Sequence, residues 1–303
     1  MARKRALILL NTSSGIGRAG TNAMGIIRRF AEKGYEPIIY PIIPGTALVA
    51  EKILPDYADN AEIVLCSGGD GTLNHVVHTL MNLGSHPKLA YIPTGSTNDF
   101  AKGIGIPVDF EKAFDTVFNG KEFSYDIGKI NDRYFNYIAA FGAFSKISYD
   151  TDQQLKNVFG HAAYIVSALG QFDEQLRTSC HMRIETEDEV MEGNYAFGAI
   201  CSTISVGGFP LFKGNKVRLN DGKMELLLVK APKTALDLQE ILNAAVRGTF
   251  DHPLITFRQV SEVKLFADED TSWSLDGEFG GMHKEVHIQV LKQAVTIMSG
   301  IPK

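Results

Sequence analysis

Up to about residue 127 the chain alternates short aliphatic runs with stretches of helical periodicity, and this leaves few folds open. Ala6–Leu10 precedes Ala23–Ala31, Pro37–Ile43 precedes Thr46–Leu54, Ile63–Cys66 precedes Leu73–Leu83, and Leu89–Ile92 precedes Asp109–Phe118. Strands apolar on both faces, each followed by an amphipathic helix, predict a parallel sheet with helices packed on it. Glycine clusters fall where the predicted strands end, which is where such sheets bind ligands.

Beyond Asp126, turn signals such as Asn131-Asp132 and Glu187-Asp188 separate strand-like runs, among them Tyr134–Phe141, Tyr195–Thr203 and Met224–Val229. The expected architecture is therefore an α/β N-terminal domain over 1–127 followed by a mostly antiparallel β-sandwich over 128–290. Helices are predicted to interrupt the second domain at His161–Glu174 and Ala235–Arg247. The run Val290–Met298 fits the end of either domain, so the segment 291–303 is left able to return to the first. With 303 residues, 45% of them hydrophobic, the chain has enough apolar surface for two cores.

A formal net charge of -5 gives no global positive field, which argues against nucleic acid as a partner and makes any anion site local. Cys66, Cys180 and Cys201 are far apart, lie within or beside apolar runs and show neither zinc spacing nor a disulfide framework, as expected of thiols in a reducing cytoplasm. Arg3, Lys4 and Arg5 before Ala6–Leu10 mimic a signal peptide, but the run is too short and reads as a first strand. No apolar stretch has the length to cross a bilayer.

The third predicted strand runs into Ser67-Gly68-Gly69-Asp70-Gly71-Thr72-Leu73-Asn74, which opens a helical pattern. Three glycines there let backbone N–H groups crowd around a phosphate at a positively polarised helix start. Asp70 would repel a bare phosphate and makes sense beside one only when Mg²⁺ or its water shell stands between them. A tight strand-to-helix turn with Asp70 as a cap is the plainer alternative. One strand later comes Pro93-Thr94-Gly95-Ser96-Thr97-Asn98-Asp99-Phe100-Ala101-Lys102, which brings hydroxyls and a second carboxylate to the neighbouring strand end, or equally an N-capped short helix.

In these two motifs the chain resembles the diacylglycerol kinase catalytic superfamily, which includes bacterial lipid kinases and the sphingosine and ceramide kinases. Gly-Gly-Asp-Gly-Thr is shared with NAD kinases and, loosely, phosphofructokinases, whereas Asn-Asp-Phe-Ala at 98–101 is similar to the lipid kinases. The resemblance implies an NAD kinase/phosphofructokinase-like first domain, a lipid-substrate second domain, and an active site in the cleft between them. It implies ATP and Mg²⁺ as the nucleotide and metal, with Gly68, Gly69, Asp70, Gly71, Thr72, Leu73, Asn74, Gly95, Ser96, Thr97, Asn98 and Asp99 around the nucleotide. Asn11-Thr12-Ser13-Ser14-Gly15 resembles the family's first-strand loop, in which Thr12 stands where proline is usual. His75 departs from a usual glutamate, and no role is read into it.

By the same resemblance Asp126, in Asp126-Ile127-Gly128, joins the acidic cluster that organises metal and water. Asp221, with the main chain of Arg218 and Lys223, matches the segment that holds a structural Mg²⁺ in bacterial members, although Asp221-Gly222 equally suits a hairpin turn. Asp276-Gly277-Glu278 resembles the motif that carries the catalytic base, which falls on Glu278. Asp70 is the second residue expected to take part in catalysis. The implied reaction phosphorylates a lipid hydroxyl reached from the cytoplasm at the membrane surface. Gly207–Lys213 suits insertion into an anionic surface and equally suits a loop packed on the second domain. Kinases of a sphingoid or polyprenyl alcohol or of NAD, and a catalytically silent nucleotide- or lipid-binding regulator, remain alternatives. A homodimer is left open, since no residue specifies one.

Overall fold

The computed structural model describes residues 4–12, 22–96, 98–142, 179–202, 205–206, 209–210, 217–247 and 252–300. The chain divides into two compact units, one of Met1–Ile127, Ser205–Phe209 and Lys292–Lys303, the other of Gly128–Ile204 and Pro210–Leu291.

In the first unit the aliphatic runs form parallel strands β1 (Lys4–Asn11), β2 (Tyr35–Ile42), β3 (Ile63–Gly68) and β4 (Lys88–Pro93), in the order β4-β3-β1-β2. All of β3 and Ala6–Leu10 of β1 are buried, as expected of strands covered on both faces. Strand β2 is the edge; Pro37 and Pro41, four residues apart, are tolerated because an edge strand leaves alternate N–H groups unpaired.

The intervening helices are α1 (Ala23–Glu32), α2 (Ala50–Tyr57), α3 (Asp70–Leu83), α4 (Asp99–Gly103) and α5 (Phe110–Asn119). Their buried residues follow helical spacing, with Ile26 and Phe30 on α1 and Ala113, Phe114 and Val117 on α5. Asp109 caps α5 by accepting from Lys112 N at 3.1 Å. Helix α2 begins four residues later than the predicted Thr46. Gly45 is left-handed (φ +79°), and the Thr46 hydroxyl bonds the Ile43 carbonyl and the Leu48 N–H, so this stretch is a turn.

The second unit is antiparallel. Strands β5 (Lys121–Ile130), β6 (Arg133–Phe135), β7 (Ile138–Gly142), β8 (Cys180–Thr186), β9 (Val190–Cys201), β12 (Met224–Lys230), β13 (Ile255–Val260), β14 (Glu262–Leu275) and β15 (Glu278–Ser299) contribute, β5 and β15 with only part of their length. Helix α6 spans Ala235–Arg247, and short β10 (Ser205–Val206) and β11 (Phe209–Pro210), which belong to the first unit as far as Phe209, pair with each other. Strand β9 pairs with β12 along one edge and, on the other, with β8 in its first half and β7 in its second. Residues from β6, β7, β8, β12, β14 and β15 share one core around Trp273 and Phe141, whose ring centroids are 5.0 Å apart.

One expectation changes, and the end of the chain takes one of the two places left open for it. The run Tyr134–Phe141 is two strands, broken at Asn136 and Tyr137. The final apolar run belongs to a 22-residue strand whose last residues, from Lys292, lie in the first unit, where Ile297 pairs in parallel with Leu89 of β4. The predicted helix His161–Glu174 lies outside the described residues. Cys66 and Cys201 are buried free thiols, each pushed up in pKa by that burial, and Cys180 is half-buried against the Thr271 hydroxyl at 3.1 Å. Among the described residues no helix is long and apolar enough to cross a membrane.

Candidate active site

Strand register brings the glycine loops together. Gly68 is level with Pro93, and Ser67 with Leu10, so β1, β3 and β4 finish side by side. Thr94 N donates to the Gly68 carbonyl at 2.7 Å, linking one loop to the next. At the end of β1, Asn11 Nδ2 donates to Thr72 Oγ1 at 2.7 Å, which ties the first loop to the first turn of α3.

The glycines are required by close approach. A Cβ on Gly95 would lie 2.6 Å from the Gly69 Cα, and one on Gly68 would lie 2.5 Å from the Thr72 Cβ. Two backbones therefore cross almost in contact, and the Asn98 side chain holds the second of them. Its Oδ1 accepts from Gly95 N at 2.9 Å and its Nδ2 donates to Gly95 O at 2.7 Å. Asn98 itself is left-handed (φ 50°), a conformation asparagine tolerates better than most residues.

Asp70 occupies the centre of this arrangement. Its Oδ2 accepts from Asp99 N at 3.0 Å and its Oδ1 from Phe100 N at 3.4 Å, so the carboxylate sits on the first N–H groups of α4 while its own residue begins α3. Asp70 is thus a cap, as the plainer reading of the motif had it, but of the neighbouring loop's helix rather than of its own. Asp99 is buried, and Asp70 is half-buried. No side chain of the N-cap residue, Gly69, covers the start of the 14-residue α3. Ser67 Oγ, at the end of β3, and Asn74 Oδ1, on α3, are buried without a hydrogen-bond partner among the described residues.

Other predicted residues lie on other elements. Asp126 is fully buried on β5 and its Oδ1 accepts from Gln293 N at 2.7 Å, where β15 turns through a left-handed residue (φ 51°). Glu278 is the first residue of β15 and pairs with Leu275 across the Asp276-Gly277 turn. Asp221 lies in the turn before β12 and accepts from Lys223 N at 3.0 Å. Ser13, Ser14, Gly15, Thr97 and most of Gly207–Lys213 lie outside the described residues. No group of three or more His, Cys, Asp or Glu side chains is arranged for a metal among the described residues.

Sequence reasoning gave no role to two carboxylates. Asp276 accepts three main-chain N–H groups, from Asn136, Tyr137 and Ile138, at 2.6, 2.9 and 2.9 Å. Glu225 is 1% exposed, and burial pushes its carboxyl up to about 7, with Asp221 adding to the rise and Gln259 opposing it. An acidic residue inside the apolar run Met224–Val229 was the available signal for Glu225. Asp276 offered none, because its partners lie some 140 residues upstream.

A model described as the diacylglycerol kinase catalytic domain matches residues 5–130. A diacylglycerol kinase of Bacillus subtilis (strain 168) is 31% identical over 303 residues, covering 96% of this chain and 97% of that protein. One of Staphylococcus aureus (strain MRSA252) is 31% identical over 297 residues, covering 95% and 92%. A crystal structure of a diacylglycerol kinase from Bacillus anthracis str. Sterne matches with a TM-score of 0.74 at 20% identity over 98% of this chain and 97% of that one. A second structure from the same organism gives 0.79 at 22%. At these identities the structures speak for the fold.

Proposed function

We propose that this chain, which belongs to the diacylglycerol kinase catalytic-domain family and is a lipid kinase, moves the terminal phosphate of ATP onto the free hydroxyl of diacylglycerol to give phosphatidic acid. The observation that carries the reading is the crossing of the Gly69 and Gly95 backbones beside the start of α3, whose N-cap residue is a glycine. The positively polarised start of a helix favours phosphate, and the missing Cβ atoms let the two loops close on each other beside it. In this reading Asn11, Thr12 and the residues 68–74 and 95–99 surround the triphosphate. Asp70 and Asp99 lie beside it, with Asp126 supporting the acidic cluster. Asp70 and Asp99 would hold Mg²⁺ or its water shell there, which would supply charge neutralisation to the phosphates. The acceptor oxygen forms its bond to phosphorus as the bond to ADP breaks, and the hydroxyl proton goes to the Glu278 carboxylate. Asp221, with the main chain of Arg218 and Lys223, would hold a structural Mg²⁺. The lipid is met from the cytoplasmic side at the membrane surface.

The deciding experiment offers the purified chain ATP labelled at the terminal phosphate, with Mg²⁺ and, separately, diacylglycerol, sphingosine, undecaprenol and NAD. Label in phosphatidic acid is the expected result. Label in another acceptor would replace the substrate, and label in none would favour a silent regulator.

Gly95→Ala tests the loop crossing. The new methyl group meets main-chain atoms, so the loops must separate by about an ångström, and misplacement on that scale costs about 10²-fold in a positioned reaction. The expected outcome is a fall in kcat/KM for ATP of that order with the chain still folded. A variant with unchanged ATP kinetics would show that the crossing does not shape the nucleotide site.

A further inference from the structure

Glu225 is the second residue of β12, between Met224 and Leu226, and almost nothing of it reaches solvent. Strand register sets it opposite Cys201 of β9 and Gln259 of β13, the first a neutral buried thiol and the second an amide. Gln259 Nε2 donates to Glu225 Oε1 at 3.2 Å. The other oxygen, Oε2, is buried with no hydrogen-bond partner among the described residues.

A buried carboxylate oxygen left alone is costly, so such an atom points to a partner that protein atoms do not supply. A proton on Oε2 would not satisfy it, because an orphan acceptor would become an orphan donor. Among the described residues, the charge that acts on it is of the wrong sign for a salt bridge. Asp221, four residues earlier in the turn leading into β12, carries the same charge, and the two carboxylates repel. A divalent cation resolves both problems at once, since it draws two carboxylates together and gives Oε2 a positive partner, directly or through a bound water.

We propose that Glu225 is the buried carboxylate of the cation site at Asp221, with Gln259 orienting it. The proposal rests on the assignment of Asp221 to a structural cation and is independent of which lipid accepts the phosphate. It gives a physical reason for an acidic side chain near the start of the apolar strand Met224–Lys230.

The test is thermal unfolding of the full chain, first in EDTA and then across a MgCl₂ titration without nucleotide or lipid. A ligand that binds only the folded state raises Tm with concentration, so the titration reports an apparent affinity. Glu225→Gln keeps shape and the Gln259 contact while removing charge; Glu225→Met keeps only volume. In EDTA both should melt no lower than wild type, because a buried charge without a partner has been removed. Their apparent Mg²⁺ affinity should be about 10–100-fold weaker than that of wild type. Asp221→Asn should lose the Mg²⁺ response outright. If wild type shows no Mg²⁺-dependent rise, or Asp221→Asn keeps it, the Asp221 assignment fails and takes the proposal with it. If wild type and Asp221→Asn behave as expected while both Glu225 variants keep wild-type affinity, Glu225 alone is removed from the site.

Discussion

Glu278→Gln is expected to bind ATP as the wild type does and to lose roughly 10²–10⁴-fold in kcat. Glutamine copies the volume and one acceptor oxygen of glutamate but cannot take a proton from the acceptor hydroxyl. The local fold should not change, since the position is fixed by the two-residue turn at Asp276 and Gly277, both left-handed (φ 50° and 88°), and by pairing with the buried Leu275. Left-handed angles at both central residues define the turn type whose twist matches a β-hairpin. Phosphoryl transfer has a loose transition state in which little proton transfer has occurred, so the loss should fall toward the lower end of that range. Single-turnover rates with saturating ATP would measure it. An undiminished rate would take Glu278 out of the role of base and leave the nucleotide loops unaffected.

The first unit was legible because its strands are buried on both faces and therefore read as unbroken aliphatic runs at 6–10, 63–66 and 89–92. The second was less so. Strand β9 begins at Val190, but its first residues alternate between exposed and half-buried, and only the buried stretch from Tyr195 carried a signal. The break at Asn136-Tyr137 is imposed from the far end of the sequence by Asp276, which no local pattern can announce. At the site, residue types in the motifs identified the strand ends correctly. They could not show that Gly95 is glycine because Gly69 passes beneath it, or that Asp70 spends its oxygens on Asp99 and Phe100. Those facts depend on distances between segments about thirty residues apart, where composition is silent.

The largest loss of stability is expected from Asp276→Ala. Its carboxylate is 5% exposed and takes the three N–H groups that the break between β6 and β7 leaves without ladder partners, while Asp276 N donates to Ile138 O at 2.8 Å. Alanine abandons all three donors, of which those of Asn136 and Ile138 belong to buried residues. At about 1–3 kcal/mol for each buried orphan, and less for the half-buried Tyr137, the sum is about 3–5 kcal/mol. Left-handed backbone at φ 50° adds about 1 kcal/mol for alanine, which lacks the local hydrogen bonding that lets aspartate adopt it. The chain has one tryptophan, Trp273, buried in the same unit and three residues away, so its fluorescence during urea unfolding reports this region directly. Asp276→Asn separates the two contributions, because asparagine tolerates the left-handed angle but offers one acceptor oxygen where aspartate offers two. Its midpoint should fall between those of wild type and alanine. Should alanine unfold at the wild-type midpoint, the three short hydrogen bonds would carry no net stability, and the turn that presents Glu278 would have to be fixed by strand pairing alone.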